Sequence, residues 1–119
     1  MKSFDIKTKI YFGDQALDRL SEIPYQRVLV ITDPFMAQSS MINLVTDPLK
    51  KGRKEFEIFQ DVVPDPPIEK ISEGVKKMLE YRPDVIVAVG GGSAIDSSKS
   101  IREFALRVDR YGEVGLIAI

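Results

Sequence analysis

The chain has 119 residues, with 17 Lys and Arg against 18 Asp and Glu, for a net charge of -1. That length holds one domain, and the apolar share of 44% and charged share of 29% are globular values that exclude disorder, collagen and coiled coil. The even charge balance disfavours nucleic-acid binding, and the absence of Cys and His removes disulfides, thiolate or His-ligated metal sites and Ser-His-Asp catalysis.

No apolar run is long enough to span a membrane, and the opening Met1–Asp5 has no hydrophobic stretch of the signal-peptide kind. A cytoplasmic α/β domain is the expectation. Lys9–Phe12 reads as a first strand ended by Gly13, extended backward by the alternating Phe4, Ile6, Thr8 and Ile10. Asp14–Glu22 has a helical pattern that Asp14 could cap. Val28–Ile31 is a continuous apolar, β-branched run, as a strand covered on both faces requires. Pro34–Val45 reads as a helix, and Thr46-Asp47-Pro48 as its restart, a cap followed by Pro in the first turn.

Phe56–Phe59 is a third strand. Val62-Val63-Pro64-Asp65-Pro66-Pro67 is a stiff connector, because its prolines fix φ and forbid helix. The spacing then predicts a helix over 68–81, with Ile68, Ile71, Val75, Met78 and Leu79 on one face and Glu73 and Lys77 as an i,i+4 pair. Val85–Val89 is a fourth strand, Ser93–Val108 a further helix and Leu116–Ile119 a fifth strand. Strand and helix alternation at this spacing predicts βαβ units around a mostly parallel sheet with helices on both faces.

The informative segment is Gly90-Gly91-Gly92-Ser93-Ala94-Ile95-Asp96-Ser97-Ser98-Lys99-Ser100. Successive glycines between a buried strand and a helix let a ligand approach the backbone. The helix that follows aims free N–H groups and its positive dipole end at the turn, and phosphate is the usual occupant of such a site. The P-loop pattern fails at both of its glycines, since Ser93 and Ser98 stand there. The dinucleotide pattern G-x-G-x-x-G matches Gly90 and Gly92 but meets Ile95 at its third glycine. Local roles compete: Ser93 with Asp96 forms a near capping box, and Asp96 with Lys99 an i,i+3 pair. Asp33, after the second strand, can either accept hydrogen bonds from both hydroxyls of a ribose or cap the next helix ahead of Pro34. Asp65 can serve an Asx-type turn between prolines.

Gly90 to Lys99 resembles the GGGSxxDxxK signature of the iron-containing (group III) alcohol dehydrogenase family. Ile10-Tyr11-Phe12-Gly13, Val30-Ile31-Thr32-Asp33, Val62-Val63-Pro64-Asp65-Pro66 and Leu116–Ile119 are similar to further segments of that family, in the same order, and the details resemble its propanol/ethanol branch. The resemblance implies a Rossmann-like N-terminal nucleotide-binding domain of a two-domain enzyme that interconverts a primary alcohol and an aldehyde. It implies NAD as cofactor, with Gly91, Gly92 and Ser93 on the pyrophosphate at the turn opened by Gly90. By the same resemblance Asp33 faces the adenosine ribose and favours NAD over NADP, Asp96 sits towards the nicotinamide, and Lys99 lies on the helix beside it. Asp65 stands where the family has asparagine, an acceptor-only carboxylate in place of an amide.

The family's metal, Fe2+ or Zn2+, is held by an aspartate and histidines of a helical second domain, and no such ligand can be carried over to a chain without His. Residues 1–119 therefore read as the dinucleotide-binding domain alone, inactive by itself. The alternatives are a stand-alone nucleotide- or phosphate-binding module without catalysis, and a domain of glycerol or dehydroquinate chemistry. An apolar end strand left uncovered at Leu116–Ile119 predicts self-association as a homo-oligomer.

Overall fold

The computed structural model describes residues 8–10, 17 and 19–119. Five strands form one sheet: β1 (Thr8–Ile10), β2 (Arg27–Ile31), β3 (Glu55–Phe59), β4 (Val85–Ala88) and β5 (Gly115–Ala118). The order is β1-β5-β4-β2-β3, and every pairing is parallel. The helices are α1 (Pro34–Gln38), α2 (Asn43–Lys51), α3 (Ile68–Tyr81) and α4 (Gly92–Val108). The expected backward extension of the first strand and the Asp14 cap lie outside the described residues. The described end of that segment, Arg19–Glu22, is a 3-10 turn rather than α-helix.

Side chains of the central strands alternate between two cores, as a pleated sheet covered on both faces requires. Leu29, Ile31, Ile86 and Leu116 pack under α3 and α4 with Met78, Ile101 and Ala105. Val28, Val30, Val87 and Ile117 pack on the opposite face with Val45 and Leu49 of α2. The result is a three-layer α/β/α domain. Small residues let α4 approach the sheet: Ala94, Ser98 and Ala105 are all buried.

Several sequence expectations are corrected. The Pro34–Val45 helix breaks at Ser39, whose hydroxyl accepts from the Met41 amide, and not before Pro48. A 3-10 turn, Ser40–Ile42, leads straight into α2, which runs through Pro48. Burial of Val45, Thr46 and Leu49 outweighs the one helical bond that Pro48 cannot donate. Glu73 does not engage Lys77; Lys77 reaches across to Glu57 on β3 instead. Ile68, at the first position of α3, is exposed, and the buried face of the helix begins at Ile71. The Ser93–Asp96 capping box does not form, since the cap of α4 is Gly91 with no side-chain bond. The last strand is no edge: β5 lies between β1 and β4, and Leu116, Ile117 and Ala118 are buried. The self-association expected from an exposed end strand loses that basis.

The loop between α4 and β5 is tied by Tyr111 to the loop between α3 and β4. The Tyr111 hydroxyl donates to the Pro83 carbonyl at 2.7 Å, and burial pushes its pKa up to about 12 from the ordinary 10.0. Above pH 10 the unfolded chain loses this proton while the folded chain keeps it, so stability falls as pH rises from 10 towards 12. Tyr111→Phe is expected to cost about 1 kcal/mol at neutral pH through the lost hydrogen bond. Chemical denaturation of both proteins across that alkaline window checks this: the gap between them should narrow as pH rises.

Candidate functional site

The chain steps outward from β2 to β3, then α3 carries it back past β2 to β4, and β5 continues on the far side. The direction of winding therefore reverses between β2 and β4. Crevices at the carboxyl ends of strands at such a reversal are where open α/β sheets bind ligands. Two sequence candidates flank this point: Asp33 follows β2, and the glycine turn follows β4. Thr32, which the sequence reading passed over, ties the two strand ends together. It is fully buried, and its hydroxyl donates to the Val89 carbonyl at 2.8 Å.

The three glycines have different reasons. Gly90 has φ +129°, a conformation that only glycine adopts readily. Gly91 has φ -92° and opens no left-handed turn. At Gly91 and Gly92 a Cβ would meet nothing within 4 Å, so the missing side chain leaves open space above the backbone. The turn is not plugged by its neighbours.

Open space alone does not make an anion site; the amides supply the chemistry. The N–H of Ala94 donates to the Gly91 carbonyl at 3.1 Å. The N–H groups of Gly91, Gly92 and Ser93 have no acceptor among the described residues. They sit at the positive end of the 17-residue helix α4, where an anion gains both hydrogen bonds and dipole stabilisation. The turn fits a diphosphate.

Asp33 takes the capping role expected of it. Its Oδ1 accepts from the Met36 amide at 2.7 Å and caps α1. Its Oδ2 lies 3.6 Å from the point where a Cβ would stand on Gly90, so the second oxygen faces the turn.

A cleft of about 320 Å³ opens on the other side, between α4 and the proline connector. Ser93, Asp96, Ser97 and Ser100 line it from α4, at spacings that put them on one helical face. Asp65, Val63, Pro64 and Ile71 line it from the opposite wall. Asp65 holds φ 45°, a left-handed conformation that Asp tolerates better than most residues. The structure thus brings Asp65, Ser93 and Asp96 into one cavity. Lys99 is exposed on α4, outside the cleft lining, and makes no ion pair with Asp96. Ser97 and Ser100 were missed in the sequence reading, although their spacing from Ser93 already placed them on its face.

Among the described residues no group of three or more Asp, Glu, His or Cys could hold a metal ion. The metal that the family resemblance implies does not fit these residues. No helix of the described residues is long and apolar enough to cross a membrane.

Comparison with known proteins agrees with this fold. The family description "Iron-containing alcohol dehydrogenase" matches residues 7–118. A 1-propanol dehydrogenase of Citrobacter freundii is 36% identical over 113 residues, which are 92% of this chain and 30% of that protein. The chain thus spans less than a third of that relative's length. The iron-containing alcohol dehydrogenase of Thermococcus thioreducens superposes with a TM-score of 0.77 at 29% identity, over 98% of this chain and 36% of its own. A butanol dehydrogenase of Thermotoga maritima, at 23% identity, shares the fold with a TM-score of 0.78, over 99% of this chain and 34% of its own. The fold is that of the family's N-terminal Rossmann-like domain, and the chain belongs to the iron-containing alcohol dehydrogenase family.

Proposed function

We propose that residues 1–119 form the dinucleotide-binding domain of an NAD- and metal-dependent dehydrogenase that interconverts a primary alcohol and an aldehyde. The observation that carries the reading is the open turn Gly91-Gly92-Ser93, with unpaired amides at the head of α4 and no Cβ at Gly91 or Gly92 to fill the space above them. These amides bind the diphosphate. The Asp33 oxygen that faces the turn accepts from the adenosine ribose hydroxyls and repels a 2′-phosphate. Bound NAD supplies the acceptor for the hydride that leaves the alcohol carbon. The 1-propanol dehydrogenase relative supports a short primary alcohol as substrate. The described residues supply cofactor binding and orientation but no group that could hold a metal, so the domain by itself binds NAD without turning over alcohol.

Calorimetric titration of the chain with NAD tests this reading, with saturable binding as the expected result. Heat indistinguishable from dilution would refute it. A second measurement addresses coenzyme choice. Asp33→Ala removes the cap on α1, which costs about 1 kcal/mol of stability. It also removes the carboxylate that repels a 2′-phosphate. The affinity ratio of NADP to NAD is expected to rise roughly tenfold, as loss of a charge-assisted interaction predicts.

A further inference from the structure

Beyond the central strands the chain diverges: β2 leads through Asp33 into α1, and β4 leads through the glycine turn into α4. The backbone ladder between them ends where the Val89 N–H donates to the Ile31 carbonyl at 3.0 Å. The carbonyl of Val89 itself receives no backbone N–H among the described residues. The Thr32 hydroxyl meets it instead, at 2.8 Å, from a fully buried side chain. The Thr32 backbone bonds in other directions. Its N–H donates to the Phe59 carbonyl at 3.0 Å, and its carbonyl accepts from the Val62 amide at 3.3 Å. One residue thus joins the end of β3, the proline connector and the end of β4.

The hydroxyl bond closes a small ring. From Gly90 the chain runs back one residue to Val89, crosses the hydrogen bond to Thr32, and runs on one residue to Asp33. The Asp33 Oδ2 then returns to 3.6 Å from the point where a Cβ would stand on Gly90. Oδ1 anchors the carboxylate to α1 through the Met36 amide, and Thr32 anchors it to the glycine turn. Repulsion between charges falls with distance, so that second anchor decides how strongly Asp33 opposes an anion on a ligand seated at the turn.

We infer that Thr32 is a positioning residue for coenzyme choice: its hydroxyl holds the Asp33 carboxylate in register with the glycine turn, so that a 2′-phosphate on the ribose meets the charge. The inference rests on the dinucleotide reading above. Thr32 is buried and acts only through Asp33. Without its hydroxyl the Val89 carbonyl is left buried and unpaired, a cost that the two strand ends relieve by moving apart. The carboxylate then loses its fixed distance from the turn, and part of the discrimination goes with it.

Calorimetric titration of the chain with NAD and with NADP tests this, beside thermal denaturation of each variant. Thr32→Val keeps the branched shape and removes the donor, and Thr32→Ser keeps the donor. The NAD-to-NADP affinity ratio is expected to fall roughly threefold in Thr32→Val, part of the roughly tenfold change expected when the Asp33 carboxylate itself is removed. Thr32→Ser should retain the parent ratio. On an Asp33→Ala background Thr32→Val should leave the ratio unmoved, because contacts that act through one group are not additive. Tyr111→Phe removes a hydrogen bond to Pro83, at the opposite end of β4; it should lower stability and leave the ratio alone, which separates positioning from general loosening. Should Thr32→Val fail to fold, Thr32→Cys, with its weak thiol donor, replaces it with the same expected direction. A folded Thr32→Val or Thr32→Cys protein with the parent ratio refutes the inference while dinucleotide binding stands, as does an equal fall in Tyr111→Phe. A parent protein that binds both coenzymes equally overturns the role given to Asp33 and this inference with it. If neither binds, the dinucleotide reading itself falls.

Discussion

Gly92→Val is expected to weaken NAD binding roughly 10- to 100-fold while leaving the domain folded. The size follows from the charge-assisted hydrogen bonds at stake, at about 1.5–3 kcal/mol where one partner is ionised. The selectivity follows from space. A Cβ on Gly92 meets nothing within 4 Å, and its φ is not positive, so the folded chain accommodates the side chain. The volume that it fills is the volume that a diphosphate needs. Gly90→Ala should behave in the opposite way. Its φ of +129° is unfavourable for any L side chain, and strain of that kind costs about 1–3 kcal/mol. Its Cβ would meet only Ala94 and Asp33, both at 3.6 Å, so the damage is to the backbone rather than to the binding space. Thermal denaturation and calorimetry on the two variants separate the effects: Gly92→Val should keep its Tm and lose affinity, and Gly90→Ala should lose Tm. A Gly92→Val protein that bound NAD like the parent would place the diphosphate elsewhere.

The largest loss of stability is expected from Ile86→Ala, at about 2–5 kcal/mol. Ile86 is fully buried in β4, between Leu29 of β2 and Leu116 of β5 in the sheet register. It packs in the core that includes Ile101 and Ala105 of α4. Truncation removes apolar contacts and leaves a cavity that the flanking strands, fixed by their own ladders, cannot collapse to fill. A loss of that size is a large part of the total stability of an ordinary domain. Because β4 ends in the glycine turn and α4 begins there, the same substitution loosens the platform that aims the amides. Urea denaturation with unchanged slope and a lower midpoint is the expected readout. A midpoint within experimental error of the parent would contradict the packing described here.

Much of the fold was legible without coordinates because the signals were local. Ile68–Tyr81 was read with the bounds that α3 has, since its apolar spacing, the prolines before it and its strong periodicity agree. The β-branched runs Val28–Ile31 and Val85–Val89 announced strands covered on both faces, which both cores realise. The errors fall where a distant contact overrides a local rule. Pro48 is tolerated inside α2 because the helix buries Val45 and Leu49 against the sheet. Lys77 prefers Glu57, 20 positions away, to its helical neighbour Glu73. The cap expected from Ser93 is absent because Gly91 caps α4 and leaves the first amides unpaired.

The amino-acid order alone determined that a buried strand runs through successive glycines into a helix, and that no His or Cys is available to hold a metal. The residue types of one short segment suffice for the first, and the composition of the whole sequence for the second. Only the tertiary structure decided that β5 is an inner strand, that Asp33 faces Gly90, and that Asp65 and Asp96 line the same cleft. Strand order and side-chain convergence are set by packing between residues far apart in sequence. Hydrophobic patterning specifies which face of an element is buried, but not which neighbour it is buried against.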